Sequence, residues 1–163
     1  MRNMKIRHST KEDYSRICEI YSIARDYMKK TGNPTQWGDS EPALDLVLKD
    51  IEIKNSYVVI DNEEIVGVFA FIIGPDKYYQ VIDGNWLNDE EYGTIHRIAS
   101  AQKVKGVFEA ALEYCESQIN NIRIDTHNDN VVMQHKIEKN GFTKCGIIYC
   151  HDGTPRIAYH KVI

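Results

Sequence analysis

Polar and apolar positions alternate along this chain with two periods, and the switches between them mark its elements. A short strand, "KIRHST", leads to Ser9 and Thr10, with Glu12 and Asp13 three residues on, a capping-box pattern for a helix start. Tyr14, Ile17, Cys18, Tyr21, Ala24 and Met28 then recur at helical spacing until Gly32-Asn33-Pro34. The irregular loop "TQWGDSEP" precedes a second predicted helix, from Pro42 to about Lys54, with Leu44, Val47, Leu48 and Ile51 turned inward. "SYVVI" and "IVGVFAFII" flank a turn at Asp61–Glu64 and read as a hairpin, with "YYQVI" as a third strand. After the loop "DGNWLNDEEYG" come a strand, "TIHRIAS", a helix from about Val104 to Gln118, and a strand, "NIRIDTH". A short helix spans Asn130 to Asn140, with Gly141 as its C-cap, and "FTKCGIIYC" and "RIAYHKVI" form a closing hairpin.

This order implies an α/β fold: a mixed, mostly antiparallel sheet with helices on both faces. The strand–helix–strand unit in its middle is long enough for one right-handed parallel crossover. A length of 163 residues suits one domain, 1–163, and neither repeats nor a linker divide it.

Composition narrows the function. Hydrophobic residues are 42% and charged residues 27% of the chain, ordinary for a globular protein. A net charge of -4 argues against a nonspecific nucleic-acid binder. The four cysteines, Cys18, Cys115, Cys145 and Cys150, form no CxxC pair, so no metal site is expected. Cys18 and Cys115 fall on apolar helix faces and read as core. The N-terminal stretch lacks the apolar core of a signal peptide. The longest apolar run, Ile65 to Gly74, is too short for a membrane-spanning helix. The expectation is a reduced, cytoplasmic protein with no membrane partner.

The candidate chemistry lies where "TIHRIAS" meets the helix. A helix that starts just after a strand presents free N–H groups and a positive dipole end, to which phosphates bind. Val104, Lys105, Gly106, Val107 and Phe108 are the expected donors, with Lys103 and Lys105 adding charge. Gly106 stands alone, so neither a GxxxxGK[ST] nor a GxGxxG loop is present.

In its order of elements, the chain resembles the GCN5-related N-acetyltransferases (GNAT family), which transfer acetyl from acetyl-CoA to amines. Their pyrophosphate-binding strand–helix join carries a V-x-P-x-aromatic-[RQ]-x-x-G-x-[GA] pattern. Aligned on Gly106, Ile98 takes the Val position, Ser100 the Pro, Gln102 the aromatic and Lys103 the Arg/Gln position, while Phe108 falls where a small residue is usual. Asn130 followed by a short helix ending in Gly141-Phe142, and the closing hairpin, extend the likeness over nearly the whole chain.

The resemblance implies acetyl-CoA as co-substrate, with the backbone of Lys103–Phe108 around the pyrophosphate and Ser100, Asn130 and Met133 also at the cofactor. Ile98 or Ala99 would supply a strand N–H to polarise the thioester carbonyl. The family's Tyr acid is replaced by Ile137, so a proton for the leaving thiolate would come from water. Candidate bases are His96, Asp125 and His127, beside Glu90 and Glu91. "DTHNDN" equally suits a polar capping loop, and Glu90 and Glu91 a solvated one. Trp37 and Trp86, both in loops, either wall an amine pocket or cap the core edge. The expected partner is a small-molecule or peptide amine acceptor, and a homodimer is admitted. The departures at Phe108 and Ile137 also suit a non-catalytic acyl-CoA sensor.

Overall fold

The computed structural model describes residues 3–163. Eight strands form one sheet: β1 (Lys5–His8), β2 (Ser56–Asp61), β3 (Glu64–Ile73), β4 (Asp83–Gly84), β5 (Gly93–Ser100), β6 (Asn121–Thr126), β7 (Thr143–Tyr149) and β8 (Pro155–Val162). Four helices accompany them: α1 (Tyr14–Lys30), α2 (Leu44–Glu52), α3 (Val107–Gln118) and α4 (Val131–Lys139). The spatial order is β1-β2-β3-β5-β6-β8-β7-β4, and only β5 and β6 run parallel, joined by α3.

The period-2 pattern of the strands divides two cores between the faces. Val58, Val68 and Ala99 point toward α1 and α2, against Ile17, Ile20, Val47 and Ile51. Tyr57, Val59, Phe69, Ile95, Ile122 and Ile124 point the other way, toward α3 and Ile137 of α4. The mixed sheet with helices on both faces therefore follows from the alternation along each strand.

Several boundaries differ from the sequence reading. "YYQVI" is not a strand. Asp76 caps a short 3-10 turn at Lys77–Tyr79 by accepting the Tyr78 N–H, and only Asp83–Gly84 pairs, with β7. Helix α2 buries Val47, Asp50 and Ile51, while Leu44 and Leu48 are exposed. Cys18 is half-buried, not core, whereas Cys115 is fully buried. Helix α3 starts at Val107, three residues later than expected, because Gly106 adopts a left-handed φ of 94° and caps the helix rather than joining it.

A buried polar network fixes the long loop before β5. His160 is fully buried, accepts the Leu87 N–H at Nδ1 (3.1 Å) and lies 2.6 Å from Asn121 Oδ1 through Nε2. This pairing selects the neutral imidazole with its proton on Nε2. Asn121 also donates to Asn88 and to the carbonyls of Glu90 and Glu91. Burial, aided by the nearby Arg123 guanidinium, pushes the His160 pKa down to about 4.

In the unfolded chain a histidine titrates near 6.5, so the unfolded state takes up a proton first as the pH falls. Stability conferred by His160 is therefore complete above pH 6.5 and is lost toward pH 4, by about 3 kcal/mol at the lower end. Urea midpoints measured between pH 7 and 4.5 should fall along this slope, and His160→Gln should flatten it. An unchanged slope in that variant would contradict the assignment.

Candidate functional site

Strands β5 and β6 begin side by side and then part. Their ladder contains two pairs, Gly93 with Ile122 and Thr94 with Arg123. A β-bulge drives the separation: Val68 pairs with Ala99 and Ala70 with His96, so both Arg97 and Ile98 stand opposite Phe69. Arg97 sits at a φ of 50°, uncommon for a side chain of this size. Two contacts hold it there. Its guanidinium grips the buried Asp50 with a two-point ion pair (2.8 and 3.0 Å), and its carbonyl accepts the Tyr21 hydroxyl at 2.8 Å.

The opening between the strands is a cavity of about 250 Å³, walled by Ile95–Ile98 of β5, Ile124–Thr126 of β6, Met28, and the loop with Gln36, Trp37, Glu41 and Pro42. A second, narrower groove runs past Ala99, Ser100, Gln102, Val107 and Phe108 to Val132, Met133 and Lys136 of α4. Met28, Ile98, Asn130 and Met133 line both, so the cavity and the groove meet at the bulge.

The groove has the features that a pyrophosphate-bearing ligand requires. Helix α3 has no side-chain cap, and its first backbone donor bonded within the helix is Ala110, to Gly106. The N–H groups of the preceding turn remain for a ligand. A Cβ on Gly106 would meet only the Met4 side chain, at 3.7 Å, so the loop is open there. Ser100 Oγ accepts the Gln102 N–H and closes the turn, with Gln102 at a φ of 60°.

Phe108 is buried in the main core, so its bulk leaves the loop free while its N–H stays on the helix end. Val104 packs on the same core. Lys103 is ion-paired with Glu64 at 2.6 Å, and Lys105 lines an outer groove with Gly106. Ile137 is fully buried and lines neither cavity, so no side chain at that position is aimed at a thiolate here.

The cavity gathers two of the three candidate bases. His96 Nε2 lies 2.7 Å from Asp76 Oδ2, and Asp125 Oδ2 accepts the Tyr79 hydroxyl at 2.6 Å. Burial opposes ionisation of Asp76, yet the hydrogen bond and charge of His96, with the Tyr78 N–H and Arg97, outweigh it and hold the carboxyl below its ordinary value. Asp76 is thus a carboxylate, His96 donates from Nε2, and Nδ1 is left as the basic atom. Burial first, then the Asp125 charge, raises Tyr79 well above its usual range, so it remains a donor.

His127 stands apart from these groups. Its Nδ1 accepts the Asp129 N–H at 2.9 Å, Nε2 faces Thr35 Oγ1 at 3.4 Å, and burial lowers its pKa. One ring nitrogen serves the turn into α4 and the other the loop after α1. Asn130 caps α4 by accepting the Met133 N–H and ties down Gln36, which accepts from both Asn130 and Asn33.

Trp37 packs edge-on to Tyr21 and walls the cavity. Trp86 and Glu90 do not line it. Trp86 stacks on the Arg123 guanidinium and donates to the Tyr79 carbonyl, and Glu90 is exposed on the loop fastened by Asn121. Sequence reasoning missed Asp76, Tyr79, Asp50 and Arg156. Tyr79 lies in the predicted strand and Asp76 just before it, and no local pattern ties them to residues 46 and 20 positions away.

A crystal structure of a GNAT-family acetyltransferase from Streptococcus agalactiae 2603 superposes with a TM-score of 0.89, at 31% identity, over 98% of this chain and 95% of that one. The chain belongs to the GNAT family of acetyltransferases. A GNAT-family acetyltransferase from Listeria monocytogenes 4b F2365 shares the fold at a TM-score of 0.72 and 17% identity, over 98% of this chain and 95% of that chain. So does AAC(6')-Ib, solved with ribostamycin and coenzyme A, at 0.66 and 20%, over 98% and 93%. No model of a known protein family matches the sequence, and a search of the curated proteins found no match. In this GNAT acetyltransferase the α3 terminus without a side-chain cap and the bulged β5 border the groove, and the β5–β6 cavity opens beside them. Among the described residues no helix is long and apolar enough to cross a membrane, and no group of three or more His, Cys, Asp or Glu is placed to hold a metal ion.

Proposed function

We propose that this GNAT acetyltransferase moves the acetyl group of acetyl-CoA to a primary amine by direct attack at the bulge of β5. The observation that carries this reading is the meeting of groove and cavity at Ile98, where a thioester from one side faces an amine from the other. The α3 amides receive the pyrophosphate, and Asn130 and Met133 flank the pantetheine arm on its way to Ile98.

In the reaction, the acceptor ammonium gives a proton to His96 Nδ1, and the freed amine nitrogen attacks the carbonyl carbon. A β5 backbone N–H at Ile98 or Ala99 stabilises the developing oxyanion. The carbon–sulfur bond breaks, the electron pair leaves with the thiolate, and the second proton of the attacking nitrogen passes through water to that thiolate, leaving a neutral amide and the CoA thiol. The Asp76 carboxylate orients His96 and stabilises its imidazolium, and Asp125 holds the ammonium beside it.

Gly106→Glu tests the placement of the cofactor. A carboxylate at the helix terminus opposes the pyrophosphate charge, and a side chain at a φ of 94° is strained. Acetyl-CoA binding measured by calorimetry should weaken by roughly 10-fold or more, since charge-assisted hydrogen bonds are worth about 1.5–3 kcal/mol. Equal affinity in a folded variant would remove the α3 terminus from the site.

A further inference from the structure

The proposed reaction leaves the acceptor's chemistry open, and the charges of the cavity narrow it. Its wall carries opposite charges, and most are already matched. Arg97 is held by Asp50, and Asp76 by His96. Two half-buried groups are not matched, while Glu41 and His151, also on the wall, are exposed. Asp125 accepts a hydroxyl from Tyr79 but has no cation within ion-pair distance among the described residues. Arg156 is half-buried on β8, and one of its nitrogens, Nη1, donates to Thr154 Oγ1 and the Pro155 carbonyl. It forms no ion pair among the described residues, and the nearby Asp152, which accepts from Thr154, is exposed.

The sheet puts the two on one face. Asp125 pairs directly with Ala158, and Arg156 lies two residues before Ala158 on the same side of β8. That offset is about 7 Å along the strand. A carboxylate and a guanidinium without ion pairs thus line one cavity from neighbouring strands, while Trp37, Met28 and Pro42 supply an apolar wall.

On this basis, and resting on the acetyl-transfer reading above, we propose that the acceptor is a zwitterionic amino acid: its ammonium lies at Asp125 beside His96, and its carboxylate is taken by Arg156. A diamine would place a second cation against Arg156. A peptide N-terminus carries a neutral amide where the carboxylate is needed. Both are disfavoured by the same guanidinium, which is suited to fork-like recognition of carboxylate.

The test compares each of the twenty proteinogenic α-amino acids with its amide and its decarboxylated amine, with putrescine as the diamine. Binding to the CoA-saturated protein is read by ligand-observed NMR and calorimetry, and thiol release with acetyl-CoA is read on the same samples. At least one acid should bind, and its amide and amine should bind roughly 10- to 100-fold more weakly, the worth of a charge-assisted pair. Arg156→Met should abolish that preference, and Arg156→Lys should restore part of it.

The proposal is overturned if no acid binds, if the amide or putrescine binds as well as the acid, or if Arg156→Met keeps the preference. Acid binding without thiol release would sink the acetyl-transfer reading and leave the zwitterion site standing. Thiol release with amines irrespective of a carboxylate would do the reverse.

Discussion

Replacing His96 by glutamine is expected to lower kcat by roughly 10²- to 10⁴-fold, the usual worth of a positioned general base, while acetyl-CoA binding stays unchanged. Asp76 fixes the imidazole through Nε2 at 2.7 Å, which leaves Nδ1 to take the proton, and glutamine keeps a donor toward Asp76 without a basic atom. Asp76→Asn should act through the same atom. An asparagine amide accepts through its oxygen but stabilises the imidazolium poorly, so kcat should fall and the pH dependence of kcat should shift to lower pH, with KM for acetyl-CoA unaffected. Full activity in the His96 variant would hand the base role to Asp125.

The second large effect is on the framework. Asp50→Ala removes one half of a buried ion pair and leaves the Arg97 guanidinium without its two acceptors, at side-chain exposures of 19% for Arg97 and 6% for Asp50. Breaking such a pair from one side costs about 3–5 kcal/mol. Urea unfolding should show a loss of that size. Because the same pair holds Arg97 at a φ of 50°, the bulge should relax and the β5 N–H at Ile98 should lose its aim. A variant that stays folded at low temperature should therefore also turn over more slowly at saturating substrate. Wild-type stability in Asp50→Ala would show that the bulge holds itself.

These two effects illustrate what sequence carries and what it does not. The strands and helices were legible because each buries one face, and alternation or helical spacing records that face directly. Val58 and Val68 against Val59 and Phe69 are a plain period-2 record, whereas the bulge shifts the pattern between Ile95 and Ala99. The order of elements, with the Asn130 and Gly141-Phe142 markers, was enough to point to the family. The region between β3 and β5 was not legible. There the backbone is held by caps and by a polar network through Asn88, Asn121 and His160, and such contacts leave no period. Tyr79 reads as strand, and Asp76 falls between the predicted elements, for this reason.

Phe108 and Ile137 looked like departures within the cofactor machinery. Both are core residues, and the register of α3 and α4 that turns them inward is set by packing partners distant in sequence. Trp86 shows the opposite error. A tryptophan in a polar loop suggested a pocket wall, but it covers Arg123 and the edge of a small core around Tyr79, Tyr92 and Ile148. Its sequence context resembles that of Trp37, which does wall the cavity. Only the third dimension separates them.

The central claim is that acetyl passes from thioester to amine where the groove meets the cavity at Ile98. Its most direct measurement is a mass-resolved, thiol-coupled assay of the wild-type protein with acetyl-CoA and the matched acceptor panel. The predicted result is release of one CoA thiol for each acetylated amine formed, at a rate that saturates in both substrates and collapses in His96→Gln. Tight acetyl-CoA binding with no acetylated product from any acceptor would contradict it and favour an acyl-CoA sensor.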